Sequence, residues 1–477
     1  MVNQAGGLLI SSSGVCMAEP ARPVFLKKFL SGEAHFAFWD IVSKGIGFLN
    51  TFLILSALSV YQYGVFQLLL SFYALLSNFL FLGGGVVSND IMRFVGEGRE
   101  DKAKKLFLEY HGLRVFGAIV LGLFLFFGSG LLAFRYPPEM IAFAKPLALL
   151  LVFEVLFSIL KSLLKMRLRF GIVASRSTLY KFFELAALLS FLSAGGLSVG
   201  RVIWAMIVGS VVSSLILLRP AYSALTHWRG RIAAPERILF RVFRHHGKWE
   251  ILQQFTGKFS AFLQPWLIKI FVSTEAVAVY SVAQVAVSSF IGFFPTKTLG
   301  TLIPLEAGNA DRLKRLYHLG SKYLLVFSVV LAGIAAIFVP VAVGAIFEKY
   351  LPSLPYFFLL LLHLPISALG SVTSTFMVVM RRQKHLFFQK ILRSVFALPM
   401  LLFLWAGGLW GMAAYQLVFA ALLFLSLYAF LKAVPPGFRI VWQDLVYFGP
   451  ADKEFITRVF SEIKKRLPGR FWKRAAS

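Results

Sequence analysis

A single cysteine, Cys16, occurs in 477 residues, which excludes an intramolecular disulfide framework and a cysteine-based metal site. Charge is scarce too, at 15% of residues against roughly 25% in a soluble globular domain, so a water-soluble fold is excluded. Acid is the scarcer sign, with 21 Asp and Glu against 49 Lys and Arg and a net charge of +28. The basic residues fall in short clusters between apolar runs and build no aromatic-interleaved basic face, so nucleic acid is not the expected partner. Motifs of phosphate and metal chemistry are missing as well. Gly83-Gly84-Gly85 has no following Lys-Ser/Thr pair, and there is no Walker motif, HExxH or nucleophile elbow; neither an enzyme, a nucleotide hydrolase nor a cofactor is expected. The short apolar stretch at Gly7–Ile10 lacks a preceding positive region, so no cleaved signal peptide is expected, with translation starting at Met1 or Met17.

What is present is apolar length. Hydrophobic residues make up 58% of the chain and the mean hydropathy is +0.77. A bilayer core of about 30 Å needs roughly 20 apolar residues per helix, and the runs here are continuous rather than alternating, which excludes a membrane barrel. Twelve helical spans are predicted, near 34–56, 62–86, 113–134, 141–163, 171–196, 201–218, 247–271, 276–303, 321–345, 354–379, 386–406 and 410–432. Alternate loops are basic. One set carries Arg93, Arg99, Lys102, Lys104, Lys105 and Arg114, then Lys165, Arg167 and Arg169, then the run from Arg219 to Arg244, then Arg312, Lys314 and Arg315, then Arg381, Arg382 and Lys384; the other holds little beyond Arg135, Arg201 and Lys349. By the positive-inside rule the first set, and with it both termini, lies in the cytoplasm. The expected organisation is a cytoplasmic N-terminal segment (1–33), a six-helix bundle (34–219), a basic linker (220–246), a second bundle (247–432) and a basic tail (433–477). Phe455, Val459, Phe460, Ile463 and Leu467 recur in that tail at helical spacing among lysines and arginines, which fits either an amphipathic helix on an anionic leaflet or a solvated topology signal.

The chain also repeats itself at an offset of 210 residues. Trp39-Asp40-Ile41 returns as Trp249-Glu250-Ile251, Gly47 as Gly257, and Asp101-Lys-Ala-Lys-Lys-Leu-Phe107 as Asp311-Arg-Leu-Lys-Arg-Leu-Tyr317, with a compensating shift of about four residues between them. An even number of spans per repeat gives both halves the same orientation, a parallel repeat whose halves enclose a midline cavity.

Ionisable residues inside hydrocarbon are costly and usually face a cavity or a partner. Span 7 carries Glu250, Gln254 and Lys258 on one face with Gln253 beside them, span 4 carries Glu154, Ser158, Lys161 and Lys165, span 1 carries Asp40 and Lys44, and span 5 carries Lys181 and Glu184. Lys161, Lys165 and Glu250 lie near the boundary, where snorkelling explains them equally well. Lys44, Lys258 and Lys297 lie deeper, which favours a cavity role. Asp40 either neutralises Lys44 or serves, with Glu154, Glu184 and Glu250, as a proton or cation coupling site. His35 and His363 read as hydrogen-bonded structural histidines.

The run Leu58-Ser-Val-Tyr-Gln-Tyr-Gly64-Val-Phe-Gln67, followed by Ser88-Asn-Asp90 and the stretch from Gly96 to Leu106, resembles the polysaccharide-biosynthesis flippases of O-antigen type, within the multidrug, oligosaccharidyl-lipid and polysaccharide exporter superfamily. The resemblance implies an all-α, V-shaped alternating-access transporter of two six-helix bundles in the cell membrane. It implies a lipid-linked oligosaccharide as cargo, with Lys44, Lys258, Lys297 and Lys181 meeting its phosphate and Asn50, Gln253, Gln254 and Gln264 its sugars. Proton or sodium would drive the step. Two alternatives are a cation-coupled multidrug exporter of the same superfamily and a membrane scaffold that recruits a glycan polymerase or glycosyltransferase.

Overall fold

The computed structural model describes residues 22–130, 141–166, 170–228, 230, 232–244, 248–294, 310–380, 388, 391, 397–433, 438 and 440. The regular elements among them are helices. The first lobe comprises α1 (Arg22–Ala57), α2 (Val60–Phe81), α3 (Gly84–Gly96), α4 (Glu100–Phe127), α5 (Ala144–Met166), α6 (Phe170–Ser193) and α7 (Val199–Leu225). A short helix, α8 (Ile238–Val242), lies in the connecting segment. The second lobe comprises α9 (Lys248–Phe271), α10 (Thr274–Ile291), α11 (Ala310–Ile346), α12 (Leu354–Leu361), α13 (His363–Val379) and α14 (Ala397–Ala433).

Among the described residues, eight helices are long and apolar enough to cross a membrane, and α12 with α13, bent by 43°, makes a ninth. Pro365, which has no N–H to give the preceding turn, accounts for that bend. The remaining crossings carry polar residues or a break. Arg176, Lys181 and Glu184 dilute the hydropathy of α6, Lys258 and Lys269 that of α9, and Gly408, at φ 54° and ψ −133°, divides α14 into two limbs. With α2 and α3 counted as one crossing, α6 and α9 bring the total among the described residues to eleven, six of them in the first lobe, and the limb of α14 before Gly408 stands at the end of the span read at 386–406. Phe116, Phe127, Ile337, Leu402 and Trp405 stand exposed on the outer faces, as hydrocarbon solvent allows.

The repeat is visible in the helix ends. Ser59 caps α2 with its hydroxyl accepting from the Gln62 N–H at 3.2 Å, while the Gln62 side chain accepts from the Ser59 N–H at 3.1 Å; Ser273 caps α10 by accepting from the Ala276 N–H at 3.1 Å. These caps are 214 residues apart, whereas the helices end at Phe81 and Ile291, 210 apart. The four-residue shortening of α10 is thus the compensating shift seen in the sequence.

Four expectations are corrected. The third span, read at 113–134, begins as a helix at Glu100, because its first turns pack on α3 and on the connecting segment rather than on lipid. Arg114, read with the loop residues, is therefore buried in α4, donating from Nε to the Leu80 carbonyl at 2.9 Å and stacking 4.0 Å from the Phe81 ring centroid. The linker, read from 220, starts later, since α7 continues through Pro220 to Leu225. The run near Gly83 is a bend rather than a span end: Gly83 adopts φ 70°, a left-handed conformation that favours glycine, and a Cβ on Gly84 would lie 2.8 Å from the Tyr110 hydroxyl. The amphipathic reading of the tail falls outside the described residues.

The connecting segment is strapped onto α4. The Glu109 carboxylate accepts from the Ile238 and Leu239 N–H groups at 3.0 and 2.8 Å, Lys104 donates to the Trp228 carbonyl at 3.1 Å, and the Ala234 N–H donates to the Asp101 carbonyl at 3.3 Å. Removing a cap of this kind costs about 1–2 kcal/mol. Glu109→Ala is therefore expected to accelerate trypsin cleavage between 226 and 244 several-fold in limited proteolysis, and an unchanged cleavage rate would show that other contacts hold the strap.

Candidate functional site

The interior of the first lobe holds two polar clusters. In the first, α1 packs along α6 and brings Asn50 to Glu184. One Glu184 oxygen accepts from the Asn50 amide at 2.8 Å and from the Lys181 ammonium at 2.8 Å, and the same amide donates to the Lys181 carbonyl at 3.2 Å. Asn50 and Glu184 are buried, while the Lys181 side chain retains 35% exposure. The Asn50 Oδ1 atom has no hydrogen-bond partner among the described residues. Gly47 leaves room for the Lys181 stem, which lies 3.8 Å from where a Cβ would sit. The second cluster joins α5 to α6: Arg176 pairs with Glu154 at 3.2 Å and lies 3.3 Å from the Phe157 ring centroid and 5.2 Å from that of Tyr180.

A second group of polar contacts ties the lobes together along α2, α9 and α10. Lys44 pairs with Asp40 at 2.7 Å on its own helix and donates to the Gly292 carbonyl, just past the end of α10, at 2.7 Å. Gln254 of α9 accepts from the Gly83 N–H, just past the end of α2, at 3.2 Å. Positions 44 and 254 are repeat mates, so the two contacts are the two halves of one pseudo-symmetric arrangement at the end of the molecule bearing the basic loops. Further along the seam, the Trp266 indole donates to Ser71 at 3.0 Å. At the opposite end, Lys349 donates to the carbonyls of Ser56 and Leu58 at 2.8 and 2.7 Å, where α1 finishes. An apolar cavity of about 560 Å³, lined by Leu82, Phe243, Ile251 and Phe255 among others, opens at the basic end of the seam.

The candidates separate accordingly. Asn50, Lys181 and Glu184 come together; Glu154 is held apart from them by its own arginine. Asp40, Lys44 and Gln254 lie at the seam. Gln264 reaches the Tyr280 hydroxyl, which itself donates to Gln416 at 2.7 Å. Lys297 lies outside the described residues, as do the side chains of Lys258, Gln253, Glu250 and His35. His363 bonds the Ser367 hydroxyl at 3.1 Å, the structural role expected. Sequence reasoning missed Arg176, whose partner is on another helix, and Lys322, which is 4% exposed within α11.

A family model described as polysaccharide biosynthesis protein matches residues 57–349. No curated protein matches the sequence. Among solved structures, an inward-facing multidrug resistance MATE family transporter of the MOP superfamily aligns with a TM-score of 0.65 at 15% identity, over 83% of this chain and 98% of its own. A MOP superfamily transporter from Pyrococcus furiosus, described as having a binding pocket of reverse polarity that suggests a different function, gives 0.59 at 15% identity over 84% and 96%. A mutant MATE transporter of Vibrio cholerae gives 0.61 at 14% over 86% and 98%. The fold is thus the twelve-helix V of two six-helix lobes.

Proposed function

Because the chain belongs to the polysaccharide biosynthesis protein family, we propose that it flips a lipid-linked glycan precursor, carried on an isoprenoid phosphate or pyrophosphate, across the cytoplasmic membrane. The lobes alternate access, with the basic end in the cytoplasm. The observation that carries this reading is the cationic excess of the first lobe's interior helices, where Lys161, Lys165, Arg176 and Lys181 stand against only Glu154 and Glu184. A phosphate leaving water needs such charges, and lysines supply them as point charges. Lys44, Lys181, Lys258 and Lys297 are the proposed headgroup contacts, and Asn50, Gln253, Gln254 and Gln264 the proposed sugar contacts. Glu184 is the proposed coupling group, with Asp40, Glu154 and Glu250 as alternatives. A proton or sodium ion arriving at Glu184 would neutralise the partner of Lys181 and release that ammonium to an anionic headgroup.

The second reading, a multidrug exporter, draws on the similarity to multidrug transporters, but a site for organic cations calls for acidic residues that are scarce here. The scaffold reading gives the buried polar clusters no task. In proteoliposomes, the parent is expected to move a fluorescent isoprenoid-linked oligosaccharide, and Lys181→Ala and Lys258→Ala to slow it about tenfold, as loss of one charge-assisted contact would. A parent that moves no such lipid yet exports organic cations down an imposed gradient replaces this reading with the second.

A further inference from the structure

We propose that Lys44 and Lys349 are reciprocal latches that close the two lobes at opposite faces of the membrane, each by capping the C-terminal end of a helix in the other lobe. The chemistry is the same in both. An α-helix leaves its last carbonyls without intrahelical partners and concentrates partial negative charge there, so a lysine delivered from another element finds both hydrogen-bond acceptors and a favourable field. Lys44, from the first lobe, caps α10 at the Gly292 carbonyl, with its ammonium 5.5 Å from the Phe293 ring centroid. Lys349, from the second lobe, caps α1 at the carbonyls of Ser56 and Leu58.

One helix carries half of each latch. The donor at position 44 and the acceptors at 56 and 58 are separated by about 20 Å along α1, at 1.5 Å per residue. With the seam of α2 against α9 and α10 acting as the pivot between them, rotation that separates the lobes at one face removes one cap while leaving the other seated. Lys44 then has two states. Latched, its ammonium is shared by Asp40 and Gly292; with the basic end open it keeps Asp40 and becomes available to an anionic headgroup entering there. The latch rests on the alternating-access part of the proposed function but not on the identity of the cargo.

The test uses a Cys16→Ser background and spin-label pairs at each face: Gly96→Cys with Arg315→Cys at the basic end, Ala194→Cys with Ile346→Cys at the other. Distances are measured by double electron–electron resonance in nanodiscs without substrate. Lys44→Met is expected to raise the wide-distance population of the basic-end pair about tenfold, the equivalent of one charge-assisted hydrogen bond, and to leave the other pair unchanged. Lys349→Met is expected to do the reverse. Lys44→Arg and Lys349→Arg, which keep donors, are expected to retain the parent distributions at both faces. If both Met variants widen the same pair, widen both pairs together, or change neither, the latches are static contacts and the proposal is overturned. Since no glycan lipid is present, that outcome is separate from any failure of the flippase assay.

Discussion

Glu184→Leu is expected to lower the melting temperature of the detergent-purified protein by about 2–3 °C and to abolish transport. The carboxylate is 3% exposed, and a single oxygen satisfies both the Asn50 amide and the Lys181 ammonium. Breaking a buried pair by removing one partner costs about 3–5 kcal/mol; here the Lys181 side chain is about a third exposed, so the figure falls to roughly 2–3 kcal/mol. Glu184→Gln keeps an oxygen acceptor for Asn50 but removes the charge, so its melting temperature should fall less. If Glu184 couples transport to an ion, Glu184→Gln also removes the dependence of transport on the imposed gradient while preserving fold. Thermal melts followed by tryptophan fluorescence, with transport assayed on the same preparations, separate these cases. A Glu184→Leu protein that melts with the parent would mean that the cluster contributes nothing to stability and that Lys181 finds another partner.

That cluster shows how far the sequence reaches. Lys181 and Glu184 are three residues apart on one helix, and the periodicity alone places them on one face. Asn50 also stood out as a polar residue inside a span. What the sequence does not contain is the rotation of α1 against α6, and so Asn50, read as a sugar contact, could not be paired with Glu184. The pairing of Arg176 with Glu154 was hidden for the same reason, the two being 22 residues apart on adjacent helices. The seam was legible in part. The repeat at offset 210 made Lys44 and Gln254 equivalent before any coordinates, yet their partners are the backbone groups of Gly292 and Gly83, which no side-chain pattern marks. Arg114 was misplaced because hydropathy locates the apolar part of a helix and not its start: α4 projects more than three turns beyond the span and is held there by the strap. The second-lobe counterpart of Tyr63-Gly64 reads Ala278-Val279-Tyr280 and lacks the glycine, so the two crossings differ, and the structure gives that asymmetry a physical content.

Gly64 sits where α2 crosses the start of α10, and a Cβ built there would collide with the Thr274 carbonyl oxygen and lie 3.0 Å from both the carbonyl carbon and the Thr274 Cγ2. The obstruction is backbone rather than a flexible side chain, so it can be relieved only by separating the two helices. In a membrane, helices gain little from hydrophobic burial and depend on close approach for dispersion, which is why small residues occupy their crossings. The residues around this crossing are the interlobe contacts of that face: the Tyr63 and Tyr350 rings meet edge to face at 5.9 Å, next to Lys349 and its two carbonyls. A displaced α10 therefore loses the ring contact and the Lys349 cap together. Gly64→Leu is expected to give little or no monodisperse protein by size-exclusion chromatography, and Gly64→Ala a protein that folds but melts several degrees lower, with the label pair at Ala194→Cys and Ile346→Cys shifted to longer distance. Gly45, also helical and in α1, has no atom within 4 Å of its Cβ position, so Gly45→Ala should match or exceed the parent's stability by about 0.5–1 kcal/mol, the ordinary gain of alanine over glycine in a helix. The contrast between the two glycines isolates contact from propensity. Equal behaviour of Gly64→Leu and Gly45→Ala would mean that the lobes meet more loosely than the Gly64–Thr274 approach requires, and the pivot between the two faces would have to lie elsewhere along α2.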